Sequence, residues 1–238
     1  MPSRSLPSQS AFGILDTCPI FSDGLIPMSD HTRSQFIAAG LKLYPQYGYA
    51  KLSVRVLAAE AGISPGMFHH LFAGKDAFVA EVLAQQYQRT FGLLDAENAN
   101  QGGDAFACLR ETFRQQARCL RDNLDWVQRA FADSGEGVAV VRDFWQRHFL
   151  ARHQQFMTLL NRCEALGEGE QVQRLAYLIG AVSAPMVIGK RMHEMGVLPP
   201  DLGAHIPEIM QDAALDQRID WALAALFPKQ FTLQQEQV

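Results

Sequence analysis

Cysteine is scarce in this chain of 238 residues, and the four that occur lie far apart: Cys18, Cys108, Cys119 and Cys163 form no CxxC pair. That spacing points to reduced thiols, with a redox-sensing pair as the alternative reading. Long apolar runs are lacking too. None approaches the roughly 18 consecutive apolar residues that cross a bilayer, and the mildly apolar stretch from Ala11 to Pro27 is broken by Asp16, Pro19, Asp23 and Gly24, a poor signal peptide. A cytoplasmic protein without membrane contact is expected. There is no HExxH and no glycine-rich phosphate loop behind a strand. His148 and His153, five apart, lack the i,i+4 spacing of a paired metal site. An enzyme, a metal site and a bound cofactor are therefore not expected.

Charge is modest, 19% of residues, against 48% hydrophobic, a balance that suits a globular chain with a real core. The net charge of −4 is uneven. Residues 28–90 carry six Lys and Arg against four acids, whereas residues 91–238 carry 14 against 19. The N-terminal part is the better partner for a polyanion.

Residues 1–29 are rich in Ser and Pro without periodicity and read as a disordered tail. From Asp30 onward the chain reads as helix after helix, with no convincing alternating strand. Phe36, Ile37, Gly40, Leu41 and Tyr44 make the apolar face of a first helix to about Tyr47, distorted late by Pro45 and stopped by Gly48. Ser53 is a good N-cap for a second helix whose inner face is Val54, Leu57, Ala58 and Ala61, ended by Gly62. Ser64 as N-cap and Pro65 as first helical residue open a third, with Phe68, Leu71 and Phe72 inward. A fourth runs from Lys75 to about Leu94. After a loop at 97–104, long helices are expected over 105–121, 124–133, 138–166, 170–195 and 205–227.

The stretch LSVRVLAAEAGISPGMFHHLFAGK (52–75) sets two short helices across Ala61-Gly62-Ile63-Ser64. Gly62 permits the positive φ of a tight turn, and small Ala58 lets the helices cross closely. This is the logic of a helix-turn-helix, with its second helix placed for a major groove. In Ser53, Ala58, Ala61-Gly62-Ile63-Ser64, Gly66, Phe68, Phe72 and Lys75 the chain resembles the tetracycline-repressor (TetR-like) family over residues 30 to about 80. Its departures are His69 where the family usually has a phosphate-touching Tyr, Leu71 in place of a polar or aromatic residue, and Pro45.

The resemblance implies an all-α protein: a three-helix helix-turn-helix head at 30–75, a helical ligand-binding and dimerisation domain at 76–228, and a C-terminal tail at 229–238. It implies a double-stranded DNA operator as partner. Pro65, Gly66, Met67 and His70 would then meet base edges, Met67 against a thymine methyl and His70 against a purine. Arg55 would reach a guanine or a phosphate, and Ser53, His69 and Lys75 would anchor phosphates. Ser64 is a further DNA-contact candidate and, like Ser53, caps a helix whatever else it does.

The expected function is a transcriptional regulator, a repressor released from its operator by a small-molecule effector. Phe113, Trp126, Phe131, Phe144, Trp145, His148 and Phe149 are the candidates for lining an apolar ligand cavity, with His148, Arg147 or Gln128 as polar handle. The helices at about 170–195 and 205–227 carry more apolar surface than one flank needs, so a homodimer through them is expected. A DNA-binding adaptor controlled by a protein partner and a helical-bundle enzyme are the alternatives. The first would lack an internal cavity; the second would turn over substrate and ignore DNA.

Overall fold

The computed structural model describes residues 28–98 and 103–235, so the expected tail up to residue 27, with Cys18, lies outside the described residues. The described residues are helical and contain no strand. The head consists of α1 (Met28–Lys51), α2 (Val54–Ala61) and α3 (Gly66–Leu71). Then come α4 (Lys75–Asn98), α5 (Ala105–Asp122), α6 (Leu124–Gly135), α7 (Ala139–Cys163) and α8 (Glu168–Ala184). A π turn (Pro185–Gly189) joins α8 to α9 (Lys190–Glu194), and α10 (Pro200–Ala204), α11 (Ile206–Ile209), α12 (Asp212–Leu226) and α13 (Pro228–Gln235) complete the chain.

In the head, the Ser53 hydroxyl accepts from Val56 N–H (3.3 Å) as an N-cap, and Gly62 ends α2 at φ 68°. A left-handed residue there lets its own N–H and that of Ile63 reach back to the last carbonyls of α2, so the turn closes within two residues. Phe36, Phe68, Phe72 and Phe78 then meet edge-on or tilted at 4.9–6.2 Å, binding α1, α3 and α4 around one aromatic knot. Burying rings of that size stabilises by about 2–3 kcal/mol each. Arg33 ties the end of α3 to α4: its Nε donates to Glu81 (3.0 Å), its Nη1 to the Leu71 carbonyl, and its plane lies over Phe72.

The described residues form two cores. The first joins the head to α4, α6 and the start of α7, through Tyr44, Leu83, Trp126, Ala130 and Phe144. The second lies between α5, α7, α8, α12 and Phe227.

Several boundaries differ from expectation, each for a local reason. α1 begins at Met28 and carries Pro45 inside it; the helix breaks only at Gly48 (φ 62°, ψ 179°) before a last turn to Lys51. The helix expected over 170–195 is interrupted by the π turn at Pro185, where the missing N–H removes one i→i−4 bond and an extra residue per turn absorbs the ring. The helix expected over 205–227 is two pieces, because Pro207 sits in the first turn of the short α11 and Gln211 is extended before Asp212; Pro200 opens a further short helix ahead of them. The C-terminal tail is helical through Gln235, started by Pro228 and held by Phe231 against the second core. α3 begins at Gly66, and it is the Ser64 carbonyl that takes Met67 N–H (3.1 Å).

By length and hydropathy alone, Glu168–Glu194 is apolar enough to cross a membrane, contrary to the reading of the sequence by consecutive apolar residues. In the fold Leu175, Leu178, Val182 and Met186 of this run are core residues of the second cluster. Others of its apolar residues, Val172, Tyr177, Ile179 and Ile188, are exposed.

Candidate DNA-binding and effector sites

The outer surface of α2 and α3 presents the expected contact residues together. Ser53, Arg55, Ser64, Pro65, Gly66, Met67, His69 and His70 are all exposed, while Phe68 between them is fully buried. Helical periodicity explains this: Phe68 points at the aromatic knot, so Met67 and the two histidines on either side point away. Lys75 differs. It opens α4 half-buried, with its ammonium 4.3 Å from the centre of the Tyr49 ring and 3.4 Å from the Ala50 carbonyl. Burial pulls its pKa below the ordinary lysine value, against the opposite pull of Asp76 and Asp133. The Tyr49 hydroxyl in turn donates to Asp76.

Behind this surface, α6 grips the last turn of α1. Asp133, fully buried, accepts Tyr49 N–H on one carboxylate oxygen (2.8 Å) and Arg129 on the other (2.6 Å). Tyr44 stacks on Trp126 at 4.7 Å, and burial, then the nearby Asp133 carboxylate, push its phenol pKa well up. Gly48 lies where a Cβ would come within 2.6 Å of Arg129, so its positive φ and its missing side chain are both required. None of Tyr49, Arg129 and Asp133 was singled out in the sequence. A buried acid one helix turn after an arginine was the available signal.

A cavity of about 390 Å³ lies between α4, α5, α6, α7, α8 and the π turn. Phe113, Phe131, Trp145, His148 and Phe149 line it, five of the seven residues proposed from sequence. Trp126 and Phe144 do not: they belong to the first core and border only a void of about 20 Å³. Neither Arg147 nor Gln128 is its polar handle. Arg147 is exposed and donates to the Asp143 carbonyl, and Gln128 donates to the Val187 carbonyl (3.0 Å) beside a separate cleft. The polar residues that do line it include Gln116, Arg152, His153 and Ser183. His148, Phe149, Arg152, His153 and Phe156 form one stripe of α7, so the two histidines flank a common wall although they are five apart. α6 contributes Val127 and Phe131 to the cavity and, one position round, Trp126, Ala130 and Asp133 to the head. Among the described residues no group of His, Cys, Asp and Glu is placed to hold a metal ion. Burial raises the Cys119 and Cys163 thiols, the latter to about 12, which keeps them protonated and poorly reactive.

Comparison with known proteins agrees with this geometry. Residues 36–82 match the family described as bacterial regulatory proteins, tetR family. An 88-residue stretch is 34% identical to the uncharacterized HTH-type transcriptional regulator YuxN of Bacillus subtilis; it covers 37% of this chain and 28% of YuxN, so the match spans under a third of that relative. A TetR-family transcriptional regulator structure from Mesorhizobium loti superposes with a TM-score of 0.59 at 15% identity, over 83% of this chain and 98% of that one. The regulator FadR of Bacillus subtilis, solved in complex with stearoyl-CoA, does so with a TM-score of 0.51 at 13% identity, over 74% and 95%. The last two likenesses are of fold, whereas the head is matched in sequence: residues 36–82 are similar to the tetR family of bacterial regulatory proteins.

Proposed function

We propose that this regulator is a homodimeric repressor released from its operator by a small molecule bound in the α4–α8 cavity. The observation that carries the reading is that α6 serves both ends. Its Val127 and Phe131 line the cavity, and its Asp133 and Arg129 hold the turn of α1 whose Tyr49 braces Lys75 and Asp76. A ligand that fits one setting of α6 better than another shifts the head by its difference in affinity for the two. That the structurally similar FadR was solved with stearoyl-CoA supports a ligand-binding body. The DNA surface is Ser53, Arg55, Ser64, Pro65, Gly66, Met67, His69, His70 and Lys75, with the division between head and body near residue 75. The presence of a cavity favours this reading over an adaptor switched by a protein partner.

Selection from a random DNA pool with the full-length protein tests the core of the proposal: a two-fold symmetric operator is expected. Asp133→Ala, a position remote from the α3 surface, should then lower operator affinity at least tenfold (about 1.4 kcal/mol) while the helical circular dichroism persists. Removing one partner of a buried pair also destabilises by about 3–5 kcal/mol, so the measurement belongs well below the melting temperature. If no sequence is enriched, the regulator reading fails; if Asp133→Ala binds the operator as tightly as the parent, the coupling through α6 fails.

A further inference from the structure

We propose that the α4–α8 cavity takes a hydrophobic carboxylate, an apolar body bearing a single negative charge. This rests on the ligand-responsive reading above and narrows it. Basic groups line the cavity from one helix only. Among the described lining residues, those of α4, α5, α6 and α8 include no charged side chain, and no wall carries an Asp or Glu. The basic residues, His148, Arg152 and His153, all come from α7. They fall within two turns, so they share one edge of the cavity. Each is half-buried, neither lost in the core nor out in solvent. The charged end of Arg152, and not only its stem, sits at the wall. Its Nη2 donates to the Tyr87 hydroxyl (3.3 Å), its guanidinium lies 5.5 Å from the centre of the Phe91 ring, and both Tyr87 and Phe91 line the cavity. His148 stacks on Tyr87 at 3.8 Å, and His153 faces Phe149 at 6.0 Å. A ring nitrogen of either can donate a hydrogen bond. Away from this edge the walls are largely apolar, with Phe131 stacked on Trp145 at 4.5 Å and Phe113 against Phe156 at 4.6 Å. A cleft lined by charge of one sign between low-dielectric walls concentrates ions of the opposite sign. A guanidinium also matches a carboxylate in shape, and its attraction offsets the cost of taking the anion out of water. An ammonium would meet the like charge of Arg152 and no lining acid. The occupant is therefore an amphiphile with its anionic end at α7 and its apolar end against α5, α6 and α8.

Calorimetric titration of the full-length protein at pH 7 with three naphthalenes of similar size isolates the charge. 2-Naphthoate is an anion, 2-naphthamide is its neutral isostere, and 2-naphthylmethylamine is a cation. Hydrogen bonds between two ionised groups are about twice as strong as neutral ones, so 2-naphthoate is expected to bind about tenfold tighter than the amide, and the amine weakest of the three. Arg152→Met keeps an apolar stem and removes the charge; the naphthoate should lose its advantage over the amide. Arg152→Lys should keep most of that advantage. An Arg152 that only props the wall would weaken both compounds alike in the Met variant and leave their ratio unchanged. Amide or amine binding as tightly as naphthoate, no binding of any probe, or a naphthoate advantage intact in Arg152→Met overturns the proposal. The comparison among probes on the unaltered protein stands even if a variant misfolds. Operator binding measured with and without 2-naphthoate keeps the two readings apart: naphthoate preference without DNA release upholds the ligand class and refutes ligand control, whereas operator binding with no naphthoate preference refutes only the ligand class.

Discussion

Lys75 stands at a crossing of two roles. Its ammonium is braced by the Tyr49 ring and the Ala50 carbonyl, yet it begins α4 beside the exposed α2–α3 surface, where free backbone N–H groups also favour an anion. If it meets a phosphate, Lys75→Ala should weaken binding to every DNA sequence alike and make the slope of log K against log salt shallower by about one. An unchanged slope would confine Lys75 to the bracing role. Met67 carries no such double duty. It is 37% exposed and projects from α3 opposite buried Phe68, so its loss leaves the core alone. Met67→Ala should alter base preference at one or two operator positions, at about 1–3 kcal/mol for a lost specific contact. Identical selected operators for both proteins would remove Met67 from the readout. Residues whose role follows from backbone chemistry were legible in the sequence: Ser53 caps and Gly62 turns as their types dictate. Ser64 shows the limit. A serine one residue before Pro65 satisfies the same rule, but the helix starts a residue later, because Pro65 itself occupies the cap position.

Among the helices, α5 and α12 show most plainly what helical periodicity can and cannot reveal. Arg110, Arg114, Arg118 and Arg121 descend one face of α5, and Asp220, Asp216 and Asp212 descend the facing side of α12 in the opposite direction. The interlocking pairs fix the two helices antiparallel and in register. Each row has helical spacing in the sequence, yet nothing local says that they face each other across about 100 residues; that comes from the fold. Individually such half-exposed pairs contribute only about 0–1 kcal/mol. The outermost acid has a visible pH signature. The Asp212 carboxylate accepts from Arg121, which holds its pKa below the ordinary value. Its contribution is complete above the unfolded carboxylate pKa and disappears as pH falls through the depressed folded value. Asp212→Asn should therefore be less stable than the parent to urea at pH 7, and the gap should close toward pH 3. A gap independent of pH would mean that the ion pair contributes nothing. The aromatic cavity was legible in part for a related reason. Spacing places Phe113, Phe131, Trp145, His148 and Phe149 on inward stripes, but it cannot tell a cavity wall from a neighbouring core, and so Trp126 and Phe144 were assigned alike.

For the whole molecule, the open question is what covers the outer face of α8 and α12. Ile219, Ala222 and Leu223 are spent within the protomer, where they are buried, whereas Val172, Tyr177, Ile179 and Trp221 remain exposed, Trp221 at 63%. Pairing these faces across a two-fold axis would give an isologous four-helix bundle. Light scattering should find a dimer at micromolar concentration, and Trp221→Glu should shift it toward monomer with its helical content intact. A monomeric parent, or a variant that stays dimeric, would move or abolish this interface. Within one protomer, the first core has a consequence for anyone wishing to transplant this head. Phe78, Val79, Val82 and Leu83 of α4, together with Trp126 and Ala130 of α6, close over the inner side of α1. A graft cut at residue 75 would leave that side bare in its new host. A working chimera has to take α4 along and recreate the Trp126–Ala130–Asp133 stripe on the recipient, so the unit that can be exchanged between regulators is not a contiguous piece of chain but a head with its own borrowed strip of body.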